Sequence, residues 1–282
     1  MARSEGLDGV ILGPADIAGG LALSVAAGWN QIADDWAFFI SQGHGSGFRS
    51  ATDGLVATTA AVVYGGGCAW ISMVLVAEAW RHRGLASLLL ERTLRRLEAL
   101  HATPMLDATP AGEPVYRHLG FRTGFSFDRW EGSAVDVPGA SPGAAVHPLA
   151  RDDLDRIVAL DTAVTQLGRR ALLHNFMARS GTAGWVTSEG TGFVLVRAGH
   201  RATQLGPLVA ASPEQAQTLL LTALAHVRGP VFLDVPRRWT GLTGWLESNA
   251  FARQRPYVRM AHGGAPLGCD DRQFVLAGPE FG

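Results

Sequence analysis

The stretch Met73-Val74-Leu75-Val76-Ala77-Glu78-Ala79-Trp80-Arg81-His82-Arg83-Gly84-Leu85-Ala86-Ser87 decides the reading of this chain. Its apolar start reads as a buried strand. A short loop with two arginines and a glycine follows, and a leucine-rich helix begins at once. The first turn of a helix has backbone N–H groups without intrahelical partners and carries the positive end of the helix dipole. Together these attract phosphate, and a glycine at the turn lets the anion approach the backbone closely. Arg81 and Arg83 add positive charge at the rim. Residue types alone also allow a solvated arginine pair beside a helix-start glycine.

Outward from this stretch, Gly84 to Leu100 reads as an amphipathic helix. Leu85, Leu88, Leu89, Leu97 and Leu100 form its stripe, and Glu91, Arg92, Arg95 and Glu98 take much of the remaining surface. Met105 to Ala108 reads as a short strand, Gly112 to His118 as a short helix and Arg122 to Trp130 as a last strand. On the other side, Leu55 to Tyr64 and Ala69 to Ala77 read as strands joined at Gly65-Gly66-Gly67, a run suited to a hairpin turn. Pro14 to Ala27 and Asp35 to Ile40 read as helices, with Asp34 as a cap for the second. Gly43-His44-Gly45-Ser46-Gly47 fits neither G-x-S-x-G nor G-x-G-x-x-G and reads as a flexible surface loop. The predicted fold class is α/β, with mixed α+β layers.

The same landmarks recur in order about 130 residues later, the signature of a tandem repeat. Leu75-Val76-Ala77 returns as Leu208-Val209-Ala210, and Ser87-Leu88-Leu89-Leu90 as Thr218-Leu219-Leu220-Leu221. Met105-Leu106-Asp107 answers to Phe232-Leu233-Asp234, and Leu119-Gly120-Phe121 to Asn249-Ala250-Phe251. Between the copies, small residues with two prolines read as a linker over 135–145. The expected division is a first domain at 1–134 and a second at 146–282.

Composition narrows the function classes. The chain has 282 residues, about two ordinary domains, with 47% apolar and 17% charged residues. A net charge of −1 gives no global field for nucleic acid or an anionic membrane. All 24 basic residues are arginine, which excludes a lysine Schiff base or a Walker-type lysine. Cys68 and Cys269 lie far apart without Cys/His clusters, arguing against a disulfide framework or a structural zinc site. No signal-like or membrane-spanning apolar run is present, so a soluble cytoplasmic protein without a metal is expected.

Arg81-His82-Arg83-Gly84-Leu85-Ala86 resembles the [Q/R]-x-x-G-x-[G/A] pyrophosphate loop of the GCN5-related N-acetyltransferases (GNATs). Val115-Tyr116-Arg117-His118-Leu119-Gly120-Phe121 resembles that family's L-Y-x-x-x-G-F, at the usual separation from the loop. Trp29-Asn30-Gln31 and Asp34-Asp35-Trp36 are similar to a tandem-GNAT subgroup whose second acetyltransferase domain is degenerate. The resemblance implies two GNAT-like domains, each a mostly antiparallel sheet flanked by helices, with acetyl-CoA as co-substrate. It further implies that Leu75 and Val76 hold the pantetheine arm and that Arg81, His82, Arg83, Gly84, Leu85, Ala86 and Ser87 cradle the pyrophosphate. Thr109 stands where many relatives carry an asparagine that contacts the cofactor.

In this resemblance Tyr116 is the general acid that protonates the departing thiolate, and the Val76 N–H polarises the thioester carbonyl. The ring of Tyr116 also suits plain packing against the sheet. No carboxylate stands on Ile71-Ser72-Met73-Val74, where some relatives place a base; Asp34, Asp35, Glu78 and Glu113 remain, and no base is assigned. Trp29, Asn30 and Asp34 are the candidate acceptor-site residues. In the second copy, Ala211-Ser212-Pro213-Glu214-Gln215-Ala216 lacks both arginine and glycine, and Leu246 stands against Tyr116. Ser212 and Pro213 read there as a helix cap and first helical residue, so this copy is expected not to bind CoA. The expected acceptor is a small-molecule or peptide amine. A non-catalytic acyl-CoA sensor or an interaction module stays open, and oligomeric state is not legible.

Overall fold

The computed structural model describes residues 6–134, 146–263 and 269–282. The expected linker at 135–145 lies outside the described residues. In the first half, β1 (Leu7–Ile11), α1 (Ile17–Ala26) and α2 (Ala33–Gln42) precede β2 (His44–Ser50), β3 (Gly54–Tyr64) and β4 (Cys68–Val76). Then come α3 (Leu85–Ala99), β5 (Thr103–Ala108), α4 (Glu113–His118) and β6 (Phe121–Ala134). The second half starts with β7 (Val146–Pro148), α5 (Leu154–Thr165), α6 (Arg170–Ala178), β8 (Ala183–Thr187) and β9 (Phe193–Arg197). It continues through β10 (Thr203–Val209), α7 (Pro213–His226), β11 (Gly229–Pro236), α8 (Thr240–Ser248), β12 (Ala252–His262) and β13 (Gln273–Val275).

The α3 stripe buries Leu85, Leu89, Leu90 and Leu97, while Leu100 lies one residue past the helix and is exposed. Two local expectations are corrected. Asp34 does not cap α2; its exposed side chain points elsewhere, and Asp35 Oδ2 accepts the Ile32 N–H at 2.9 Å instead. Nor is Gly43–Gly47 a flexible loop, because His44–Ser50 is a sheet strand between β1 and β3. Its glycines serve close packing. A β-carbon at Gly47 would lie 2.5 Å from the Ala57 carbonyl oxygen, and one at Gly45 would lie 3.0 Å from the β-carbon of Leu12.

The described strands form one 13-stranded, mostly antiparallel sheet in the order β1-β2-β3-β4-β5-β12-β6-β11-β10-β9-β8-β7, with β13 pairing β10 off that path. The order shows an exchange. The last strand of the first half, β6, pairs with β11 of the second, and β12 of the second half pairs with β5 of the first. β6 and β12 then pair antiparallel to each other at the centre.

Matching ion pairs lock both exchanges. Asp107 on β5 takes two hydrogen bonds from Arg259 on β12, both at 2.9 Å. Asp234 on β11 takes two from Arg129 on β6, at 2.9 and 2.8 Å, and a third from Gln204 at 2.9 Å. All four charged side chains are buried. A charge removed from water is held at low cost only when its partner and hydrogen bonds are complete, as the fork of arginine permits with a carboxylate.

Candidate active site

β4 and β5 pair in parallel only from Cys68–Trp70 to Thr103–Met105 and then part. On its other edge β4 carries a register shift against β3, and Met73 has a φ of 54°, in the left-handed region. The Thr58 hydroxyl donates to the Met73 carbonyl at 2.8 Å and supports the bulge. Beyond it the Ala77 N–H donates to the Val56 carbonyl at 2.8 Å. Backbone groups alternate in direction along a strand, so Leu75 faces β3 while the N–H groups of Val74 and Val76 face the gap. Val74, which also lines the cavity described below, stands beside Leu75 and Val76 as a candidate to hold the arm. An extended ligand arm can pair along that unpaired edge as an extra strand would.

The gap leads to the start of α3. Gly84 precedes the helix at φ 79°, a left-handed conformation that glycine adopts without strain, and no side chain caps the first turn. The N–H groups of Leu85, Ala86 and Ser87 are therefore left toward the rim. Leu85 anchors the turn in the core, and Arg81, His82, Arg83 and Gly84 are exposed. Arg81 Nε donates to the Val76 carbonyl at 3.3 Å, and Arg83 stacks on Trp80 at 4.4 Å. Trp80 is in turn held by Asp53 at 2.8 Å. These contacts hold two guanidinium groups on the loop that precedes α3.

At the inner end of the gap lies a cavity of about 290 Å³. Met73, Val74, Thr109 and Tyr116 line it from the first half, and Phe232, Gln254, Tyr257 and Glu280 from the second. The Tyr116 ring packs edge-on to Phe121 at 5.9 Å, and a β-carbon at Gly112 would lie 2.8 Å from it, so a glycine is needed there. The hydroxyl of Tyr116 makes no hydrogen bond among the described residues, and burial pushes its phenol up to about 12. Thr109 lines the cavity, its hydroxyl accepting the Gly112 N–H at 3.3 Å.

Of the candidate acceptor residues, only Trp29 lines this cavity. Asn30 is buried in a structural role, corrected from the expectation. Its side chain accepts from the Arg201 and Ala202 N–H groups at 2.8 and 3.0 Å and donates to the Ala202 carbonyl at 3.0 Å. Asp34 is outside as well, with its carbonyl accepting from Arg179 at 3.3 Å. The residues that sequence reasoning missed are Gln31 and Ser72, which line the cavity with a buried oxygen lacking a partner, and Glu280. Gln31 ends the Trp29-Asn30-Gln31 stretch, whereas no sequence signal marks Glu280.

Acetyltransferase (GNAT) domain models match residues 43–123 and 157–274, together more than half of the chain. The chain is a tandem GNAT protein. It is 27% identical over 268 residues to holothin acyltransferase of Pseudoalteromonas sp. (strain SANK 73390), covering 92% of this chain and 89% of that protein. A solved structure from Pyrococcus horikoshii superposes with a TM-score of 0.84 at 19% identity, covering 99% of this chain and 96% of that one. A tandem GNAT protein from the clavulanic acid biosynthesis pathway does so at 0.65 and 14% identity, covering 94% and 100%. Membership in this family makes the protein a GNAT-type acyltransferase using an acyl-CoA co-substrate. Among the described residues no helix is long and apolar enough to cross a membrane.

The second GNAT half keeps the frame of the first and closes its slot. β10 and β11 pair in parallel at Thr203–Leu205 with Val231–Leu233 and part, as β4 and β5 do, but β13 enters the gap. Val275 pairs with Leu208 and Gln273 with Val209, while the Leu276 N–H donates to the Asp234 carbonyl on β11 at 2.9 Å. Gly206, at φ 135°, admits this segment, since a β-carbon there would collide with the Leu276 carbonyl. At the start of α7 the Ser212 hydroxyl accepts the Gln215 N–H at 3.3 Å, and Pro213 has no N–H to offer. Glu214 adds a negative charge, its carboxyl held below the usual range by the Ser212 hydroxyl. Leu246 is fully buried in the core of this half.

Proposed function

We propose that this chain transfers an acetyl group from acetyl-CoA to the amine of a small-molecule acceptor, by direct attack of the amine on the thioester. The observation that carries the reading is the open gap between β4 and β5, running from the glycine-started α3 to the Tyr116 hydroxyl. In this reading the backbone of Arg81 to Ser87 takes the pyrophosphate, and Val74 and Val76 pair with the pantetheine arm. Acetyl-CoA supplies an activated acyl group. The Val76 N–H faces the developing oxyanion, a placement that stabilises charge as it forms. Tyr116 donates its proton to the CoA thiolate. With its phenol pushed up to about 12, it is protonated throughout the neutral range, and the same loss of water raises the proton affinity of the departing thiolate.

The size and walls of the cavity support a small acceptor over a peptide. It is walled by both halves, with aromatic rings at Trp29, Phe232 and Tyr257 and amide oxygens at Gln31 and Gln254. The relative named holothin acyltransferase is by its name an enzyme that acylates holothin. The division of labour follows from the two slots: the half at 1–134 binds acetyl-CoA, and the half at 146–282 completes the acceptor cavity without binding CoA. The test is a panel of small amines with acetyl-CoA, followed by release of free thiol. Thiol release that requires both acetyl-CoA and an amine is expected. Acetyl-CoA binding without release for any amine would contradict the reading and favour an acyl-CoA sensor.

A further inference from the structure

The segment that fills the second slot does not stop there. After β13 it runs to the centre of the molecule, where Trp70 Nε1 donates to the Pro279 carbonyl at 2.9 Å and the Phe281 ring stacks on Phe39 at 5.1 Å. Between these two anchors Pro279 and Glu280 form part of the wall of the cavity that Tyr116 also lines. The carboxylates lining that cavity are Asp107 and Glu280. Asp107 is clamped on both oxygens by Arg259 and is not free to take a proton. Asp234, nearby, is clamped in the same way by Arg129 and Gln204. Glu280 differs. It is 8% exposed, and Arg197 Nη2 approaches its Oε1 only to 3.6 Å, an ion pair too long for a hydrogen bond.

We infer that Glu280, supplied by the second half, is the proton acceptor for the amine that the first half acetylates. This rests on the acyltransferase reading above. An alkylammonium has an ordinary pKa of about 10 and cannot attack until it loses a proton. Glu280 takes that proton as the nitrogen lone pair forms the bond to the thioester carbonyl carbon. The C–S bond breaks as Tyr116 protonates the sulfur, the nitrogen's second proton restores the Tyr116 phenol, and the proton on Glu280 returns to solvent. The net products are the amide, free CoA thiol and one proton.

Burial pushes the Glu280 carboxyl up, with Asp35 and Asp234 adding to the rise and Arg197 and Arg129 opposing it. Tyr64 and Tyr257 also feel its charge, and Asp107, Arg129, Arg255 and Tyr116 line the same cavity. A base with a raised pKa is active above that value, so kcat/KM should climb with pH through it. Glu280→Gln should lower kcat/KM for the amine at pH 7 by about 10²-fold or more, the scale of a lost general base. Acetyl-CoA binding, read by thermal shift, should stay as in the wild type. The remaining pH profile should rise with the amine's own deprotonation.

If Glu280→Gln does not fold, Glu280→Asp keeps a charge for Arg197 and retracts the carboxylate by one methylene. It should lower kcat/KM while keeping the acidic limb. Wild-type kcat/KM with an unchanged limb in either variant overturns the inference alone. A wild-type chain that binds acetyl-CoA and acetylates no amine overturns it together with the function it serves.

Discussion

The gap between β4 and β5 and the gap between β10 and β11 are built alike and filled differently. Each opens where two parallel strands part beside a register shift, and each lies before the helix that carries the repeated leucines. In the first half, glycine starts the helix and leaves its donors free. In the second, Ser212 and Pro213 remove them, and β13 takes the strand-like position itself. A slot for an extended arm can thus be lost without losing the fold, because a peptide segment offers the same hydrogen bonds as the arm. The filling segment then carries Glu280 to the first half's cavity. The two halves repeat one strand–helix pattern and differ in what fills the gap.

The sharpest contrast is between Tyr116 and its counterpart Leu246. Tyr116→Phe keeps the ring and removes the hydroxyl, so turnover should fall by about 10²–10⁴-fold while acetyl-CoA binding stays near normal. Leu246→Ala should instead cost about 2–5 kcal/mol of stability, as for a large side chain removed from a packed core, with acetyl-CoA still bound by the folded fraction. Steady-state kinetics and urea unfolding separate the two. The phenol adds a pH signature. Since its folded pKa is raised to about 12 from an ordinary value of about 10, its contribution to stability is full below pH 10 and lost as pH climbs toward 12. Tyr116→Phe should flatten that decline in unfolding measurements across this window.

The exchanged strands predict likeness where the slots predict difference. Asp107→Ala and Asp234→Ala each leave a buried arginine without its partner, and each should cost about 3–5 kcal/mol in equilibrium unfolding. One costing less than 1 kcal/mol would mean that the two crossings are not equivalent. A smaller effect tests the capped helix. Ser212→Ala should cost about 1 kcal/mol, the usual value of a lost N-cap, with no change in acetyl-CoA affinity.

What the sequence disclosed is what backbone chemistry makes unavoidable. A helix started by a left-handed residue favours glycine, so Gly84 at the head of α3 is legible, and the tyrosine of the second motif follows at its spacing. Ser212 and Pro213 were legible as a cap because few residues suit those positions. The strand exchange was not, since β6 and β12 carry the same alternation whichever sheet they join; only the offset of Asp107 from Arg259 and of Asp234 from Arg129 records it. Gly45 and Gly47 misled because glycine serves tight packing as well as flexibility. Asn30 fell beside cavity residues in sequence, but its amide is used to hold the loop at Arg201 and Ala202. β13 is three residues long and Glu280 lies in no regular element, so neither leaves a periodic trace.

The central claim, one working slot and one self-filled slot, is tested most directly by calorimetric titration of the full chain with acetyl-CoA, in the wild type and in Gly84→Asp. One equivalent per chain is predicted for the wild type. At about 100 times its dissociation constant the ligand should then stabilise the fold by about 2.7 kcal/mol. Gly84→Asp, which puts a side chain and a negative charge on a residue with φ of 79° at the head of α3, should abolish the binding heat. Two equivalents in the wild type, or one undiminished equivalent in Gly84→Asp, would contradict the account.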